Sequence, residues 1–324
     1  MITAPRPKAV TRHHDGRIRV YLPADSSVFG PLEPARVFRP LTGDEVVESA
    51  VRPDLERAVC TTLNGVVCLD RAGAPVWASG FAPRSEERHG HRPCCAYSLD
   101  GRTVWVYRPD AMAGRGRSDQ WVVHDADTGQ ILARHEPGTA GHGAAHHVHP
   151  ADGGIHLDVG EGQDGSVVLR ATIGADGEVE FVRYPWSDRC LVDVAPDGEH
   201  FMTVDHDQAD VAFHRHPGGE VLRTLSVEDF GHDPDGTYVE WCGGYLTPDT
   251  AVIALGGEAE DGAGEWFRHV VVDVRTGVVA GELGADVANP YAVRPLGDGS
   301  WLGPGEDGHP LRHPCPPGMT ARVG

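Results

Sequence analysis

Lysine is almost missing from this 324-residue chain: Lys8 is the only one, so 27 of the 28 basic residues are arginine. Basic residues are also few, set against 48 Asp and Glu for a net charge of −20. A surface of that sign repels phosphate backbones, which argues against a nucleic-acid partner. No run of 18 apolar residues occurs, so an ordinary membrane span is excluded. The opening "MITAPRPKAVTRHHDGR" lacks the apolar core of a secretory signal, and the expected location is the cytoplasm. Seven cysteines, an odd number without framework spacing, fit reduced thiols better than a disulfide scaffold. No segment holds a helical period over 12 residues. There is no G-x-S-x-G elbow and no P-loop.

What is present is a repeat. A short turn carrying Asp, usually Asp-Gly, recurs between apolar runs. The copies are "HHDGRIRVYL", "RPDLERAVCT", "SLDGRTVWVY", "PADGGIHLDV", "APDGEHFMTV", "TPDTAVIALG" and "LGDGSWLGPG". Their aspartates are Asp15, Asp54, Asp100, Asp152, Asp197, Asp249 and Asp298, spaced by 39 to 52 residues. Asp-Gly favours tight hairpins, and the runs after it are β-branched and aromatic. A second turn, Asp-x-x-Thr-Gly, recurs in "WVVHDADTGQILARHE" and "HVVVDVRTGVVAGEL". Four short strands per repeat predict an all-β fold, a β-propeller of four-stranded antiparallel blades forming one domain over 1–324. Seven blades are favoured. The last copy is one strand short, and "SSVFGPLEPARVF" near the N-terminus has two strands to give. Six blades, with 9–22 as the closing outer strand, is the alternative.

"YSLDGRTVWVYRP" followed by "VVHDADTGQILARHEPG" resembles a blade of the bacterial YVTN/WD40-like propellers, grouped also with quinoprotein-like propellers. The resemblance spans most of the chain through the repeat and implies the fold. It implies little about function, because such propellers host lyases, lactonases, dehydrogenases and scaffolds. The Gly-His and Trp-Asp pair of true WD40 repeats is absent, and the Asp54 and Asp249 copies lack the glycine.

Five of the 19 histidines fall in "GHGAAHHVHPADGGIHLDVG": His142, His146, His147, His149 and His156. Composition alone predicts about one in such a window. The spacing His142-x-x-x-His146 would suit a zinc helix, but Gly141, Gly143 and Pro150 oppose a helix. On a strand, His147 and His149 share a face and His146 points the other way. Aligning the repeats on their aspartates places Glu48, Cys94 and His146 at equal height in consecutive blades, with Cys95 and His147 one residue further on. In propellers of this kind the strand before the turn is innermost and starts at the ligand-binding mouth. Carboxylate, thiolate and imidazole suit a divalent transition metal such as zinc, giving Glu48, Cys94, His146 and His147 as candidate ligands. The competing expectation is that the cysteines pack between blades and carbonyls satisfy the imidazoles.

Loops at the same mouth carry Arg88, His89, His91 and Arg92, then Trp186, Asp188 and Arg189, then Tyr238, Glu240 and Trp241. Placed polar and aromatic groups of this kind line small-molecule pockets. His146 or His147 is the expected acid/base group, since imidazole titrates near neutrality. Arg92 or Arg189 would hold an anionic group on a ligand, with His91, Trp186, Asp188, Tyr238, Glu240 and Trp241 completing the pocket. A thiolate at Cys94-Cys95, activated by His91 or Arg92, is weaker than a structural role for the pair. "GEGQDG" matches G-x-G-x-x-G but opens no helix. "DPDGTYVE" lacks the calcium-loop spacing. The expected function is a small-molecule-binding propeller, an enzyme of lyase, hydrolase or cyclase type. The alternatives are a scaffold for protein partners and, more weakly, a quinoprotein-type dehydrogenase.

Overall fold

The computed structural model describes residues 9–23, 29–40, 43–87, 89–186, 188–259, 264–285, 287–316 and 318–319. Arg88 lies outside them. Among the described residues the chain is all-β, with seven antiparallel sheets and only single-turn 3-10 helices between them. The fold is a β-propeller of seven blades. No helix among the described residues is long and apolar enough to cross a membrane.

The repeated aspartate shapes each turn. At Asp54, Asp100, Asp152, Asp197 and Asp298 the carboxylate accepts the backbone N–H two residues on, at 2.7–3.0 Å. This local bond offers the chain a turn in place of further strand. The following residue is left-handed, as at Gly101 (φ 73°); where the repeat lacks glycine, Leu55 takes φ 61° instead. The second turn is also locally tied. Asp125 and Asp273 each accept from the N–H and hydroxyl of Thr128 and Thr276.

Backbone packing divides the chain into two compact units. The first comprises Ala9–Leu22 and Pro34–Ser187. It holds blade 1 (strands Val10–His14, Arg17–Tyr21, Arg36–Phe38), blade 2 (Glu48–Val51 to Pro75–Gly80), blade 3 (Cys94–Tyr97 to Ile131–His135) and blade 4 (Gly143–Val148 to Val179–Arg183). The second comprises Pro23–Glu33 and Asp188–Gly324. It holds blade 5 (Arg189–Val194 to Glu220–Ser226), blade 6 (Thr237–Thr247 to Val279–Glu282) and blade 7 (Arg294–Pro295, Ser300–Gly303, Leu311–Pro314). Blade 7 is completed by Gly30–Pro31, which pairs with Leu311–Pro314. The "SSVFGPLEPARVF" stretch therefore does supply two strands, one to blade 7 and one, Arg36–Phe38, to blade 1.

Second strands such as Ala58–Thr62 and Thr103–Arg108 are buried along their whole length, because neighbouring blades cover both faces. The core is accordingly a series of clusters between blades. Trp105, Trp121, Ile155, Leu157 and Cys94 fill the space between blades 3 and 4. Met202, Phe213, Tyr245 and Ile253 do so between blades 5 and 6. Within each unit the first strand of a blade packs against the first strand of the next. Within each unit, the strands that carry the aligned columns are therefore neighbours in space.

Candidate functional site

Cys94 opens the first strand of blade 3, and His146 lies in the first strand of blade 4. Their side chains meet, with Cys94 Sγ 3.2 Å from His146 Nδ1. On the other side of the ring, the Trp121 indole N–H donates to His146 Nε2 at 3.1 Å. A neutral imidazole has one N–H, so Nδ1 carries it and faces the sulfur. Burial, and then the neighbouring His147, push the His146 pKa down to about 3. His146 is thus neutral at physiological pH with both nitrogens engaged. It is placed as a packing and hydrogen-bonding group rather than as a base facing a ligand.

The rest of the expected metal set is close but not assembled. Burial first, and then the charge of Glu48, raise the Cys94 and Cys95 thiols well above their usual range. Both are therefore held as thiols, which disfavours thiolate chemistry. Among the described residues, no three ligand atoms from Glu48, Cys94, Cys95, His146 and His147 lie within 4.8 Å of one another. His147 is half-buried and pairs across the sheet with His156. His149 is buried, its Nδ1 2.7 Å from the Asp152 carboxylate. His156 is fully buried and stacked on Tyr184.

A built cavity lies elsewhere in the first unit. It measures about 1060 Å³ and opens where segment 43–47, the turn at Leu63–Asn64 and residues 84–87 and 89–92 meet. Its wall is held by reciprocal bonds. Asn64 Nδ2 donates to the Ser85 carbonyl at 3.2 Å, and the Ser85 N–H donates to Asn64 Oδ1 at 2.7 Å. The Ser85 hydroxyl donates onward to the Ala113 carbonyl at 2.7 Å. Arg115, buried, donates to the carbonyls of Leu63 (2.7 Å) and Pro83 (3.0 Å). It is neutralised by Asp110, which is fully buried and also pairs with Arg108 at 2.9 Å. Phe81 lies under both guanidiniums, at 4.6 and 5.7 Å.

His91 lines this cavity and is only 1% exposed. Its Nε2 is 2.9 Å from the Glu87 carbonyl oxygen. A carbonyl can only accept, so Nε2 carries the proton and Nδ1 keeps its lone pair. That Nδ1 is buried and has no hydrogen-bond partner among the described residues. Arg92, next along the chain, is exposed on the same cavity, and its backbone N–H donates to the His142 carbonyl at 2.7 Å. No ion pair engages the Arg92 guanidinium among the described residues, whereas Arg84 is paired with Asp44 at 2.8 Å. Sequence reasoning found His91 and Arg92, and placed Arg115 in a loop at the same mouth, but missed Asn64 and Ser85. Nothing local marks that pair, whose bonds span 21 residues.

The remaining expected residues are divided. Trp186 belongs to the first unit and stacks on Tyr184, centroids 4.6 Å apart. The others belong to the second unit. Arg189 is committed to its own blade, donating to Asp210 at 2.6 Å and to Thr203 Oγ1 at 2.7 Å. The Asp188 carbonyl accepts the His206 N–H at 2.7 Å. Trp241 donates to the Asp205 carbonyl at 3.1 Å and stacks on His206. Glu240 is buried beside it, and burial, then Glu265, raise its pKa.

No protein-family model matches the chain, and no curated protein matches it. Solved structures do. Dihydro-heme d1 dehydrogenase NirN, solved in complex with DHE, is similar over 93% of this chain at 15% identity and a TM-score of 0.54. This chain spans 60% of that protein. Hydrazine synthase of Kuenenia stuttgartiensis is similar over 79% of this chain and 72% of its own, at 14% identity and a TM-score of 0.53. The Cps50 (Swd1) β-propeller domain of Myceliophteria thermophila is similar over 76% of each chain, at 11% identity and a TM-score of 0.50. Identities this low define the fold and nothing finer.

Proposed function

We propose that this chain is a small-molecule-binding β-propeller, and an enzyme of proton-transfer type, whose ligand occupies the cavity of the first unit. The observation that carries the reading is His91. Its Nδ1 lone pair is set by the Glu87 carbonyl on Nε2, and the ring is held in the wall of a cavity of about 1060 Å³. A cavity of that size takes a metabolite-sized ligand. An imidazole with a defined tautomer can accept a proton from a ligand carbon, hydroxyl or bound water, which fits elimination or hydrolysis. Arg92 supplies a cation for an anionic group on the ligand. The Asn64–Ser85–Arg115 frame holds the wall, as a preorganised site requires.

Two features shift the acid/base role from His146 to His91. His146 has no nitrogen to spare, and its low pKa makes it a poor base at neutral pH. His91 has one nitrogen anchored and one lone pair uncommitted. The test is a ligand-observed NMR screen of pooled metabolites against the wild-type chain, His91→Gln and Arg92→Ala. Ligands whose signals respond to wild type and are weakened at least tenfold by either substitution support the reading. Ligands that bind all three chains equally overturn the site, and the absence of any ligand overturns the function.

A further inference from the structure

We infer that the cavity where the chain leaving blade 6 meets blade 7 is a second ligand site, one that takes a neutral ring compound carrying a hydrogen-bond acceptor for the Trp301 indole N–H. The site lies in the second unit and shares no residue with the cavity above.

The short run "SWLG" builds it. Ser300–Gly303 pairs with Leu311–Pro314 in blade 7, setting Trp301 opposite His313 and Gly303 opposite Leu311. Alternate residues of a strand share a face, so these four lie on one face of the blade. The Trp301 and His313 rings stack, with centroids 4.2 Å apart and an interplanar angle of 17°. Gly303 leaves room for the stack, since a Cβ there would come within 3.0 Å of Trp301 Cζ3 and 3.2 Å of His313 Nε2. Trp301 also packs against Leu246, Val252 and Val271 of blade 6. Beside the stacked rings lies a cavity of about 410 Å³, walled by Leu283, Ala285 and Val287 from one side and by Leu311 from the other.

Trp301 lines this cavity with a donor that the protein leaves unused. It is 7% exposed, and its Nε1 is buried without a hydrogen-bond partner among the described residues. The buried side chains clustered with it, Leu246, Val252, Val271, Leu283 and Val293, are all hydrocarbon and have no acceptor to offer. Trp77, Trp105, Trp121, Trp241 and Trp266 behave differently: each donates its indole N–H to a protein acceptor at 3.0–3.2 Å. A buried tryptophan normally finds such a partner, and a buried N–H left without one is costly. An acceptor atom on a ligand in the cavity would supply it.

The rest of the wall sets the remaining chemistry. No acidic residue, lysine or arginine lines it among the described residues. Burial lowers the His313 pKa, so that imidazole is neutral at neutral pH. A charged ligand would give up its hydration there without gaining a counter-ion. Hydrocarbon side chains and a stacked pair of rings instead favour a flat, apolar body, and a volume toward the small end of ligand pockets suits a compact ring compound. The site therefore selects a different ligand from the arginine-bearing cavity of the first unit.

The test uses the full chain with 1-indanone and isoquinoline as probes, and indane and naphthalene as their counterparts without an acceptor. Binding is followed by NMR on the indole N–H signals of isotopically labelled protein, with Trp301 assigned by its loss in Trp301→Phe. Saturable binding of at least one probe is expected, at least tenfold tighter than its counterpart, with the Trp301 indole proton moving downfield as it gains an acceptor. Ala285→Leu, which adds volume to the wall and keeps the indole, should weaken that binding at least tenfold; it carries the test if Trp301→Phe does not fold. Equal affinity for each probe and its counterpart overturns the inference, and so does failure of both probes to bind. Binding that leaves the Trp301 signal unmoved, or that folded Ala285→Leu leaves undiminished, also overturns it.

Discussion

The Trp121 indole N–H donates to His146 Nε2 at 3.1 Å, across the boundary between blades 3 and 4. That contact fixes the tautomer of His146, turns its remaining N–H toward Cys94 and keeps the ring neutral. The pKa of about 3 against an ordinary 6.5 makes this a stability device with a definite sign. The unfolded chain binds the proton more readily than the folded one, so stability is complete above pH about 6.5 and is lost as pH falls toward about 3. His214, whose pKa burial presses down to about 4, acts in the same direction. Urea unfolding should therefore show a steep loss of stability between pH 6.5 and 4. His146→Gln should flatten that slope measurably. An unchanged slope in the variant would place the acid sensitivity elsewhere.

Asp119 is a heavily bonded carboxylate near the histidine-rich strand. It is fully buried, and its Oδ2 accepts from the Tyr107 hydroxyl (2.6 Å), the Thr139 hydroxyl (2.9 Å) and the Gly141 N–H (2.7 Å). Its Oδ1 accepts the Ala111 N–H at 3.0 Å. Asp119→Ala strands these donors, at about 1–3 kcal/mol for each one left buried and unpaired. The melting temperature should fall by several degrees or more in calorimetry. Gly141→Ala should be comparably harmful, because its Cβ would run into the Tyr107 hydroxyl.

How far the sequence carried the reading follows from range. The blades were legible because their signal is local: Asp100 bonds a backbone group two residues away, and Asp125 one three residues away. The meeting of Cys94 with His146 was legible because it inherits the repeat, being one column of two adjacent copies. The cavity wall was not. Arg115 reaches Leu63 across 52 residues, and Asn64 reaches Ser85 across 21, through loops that the repeat does not constrain. The commitment of Arg189 to Asp210 and of His146 to Trp121 was hidden for the same reason. Residue type announced a cation and a base, but only geometry shows that both are already in use.

Arg115 offers a direct test of the cavity wall. Its guanidinium is almost inaccessible and joins Asp110 to the carbonyls of Leu63 and Pro83. Removing one partner of a buried ion pair costs about 3–5 kcal/mol, here moderated because Arg108 still holds Asp110. Arg115→Ala should lower the denaturation midpoint and raise amide hydrogen exchange at 63–64 and 83–85. Exchange that stays at the wild-type level in those segments would show that the wall stands without Arg115.

Cysteine reactivity tests whether Cys94 and Cys95 are packing groups or latent nucleophiles. Both thiols are buried and held well above their ordinary pKa, by burial first and then by the Glu48 charge. Cys60 and Cys242 are buried too, each pushed up to about 12, and Cys68 is raised by burial. Cys190 and Cys315 are only half-buried. Alkylation depends on both thiolate fraction and access, so native iodoacetamide treatment at neutral pH, followed by peptide mass spectrometry, should label Cys190 and Cys315 first. The other five should react only as the chain opens, at rates that rise together with added urea. Prompt labelling of Cys94 in the native chain would mean that its thiol is both reachable and ionised. The contact with His146 would then be an ion pair between thiolate and imidazolium rather than the neutral hydrogen bond that burial imposes.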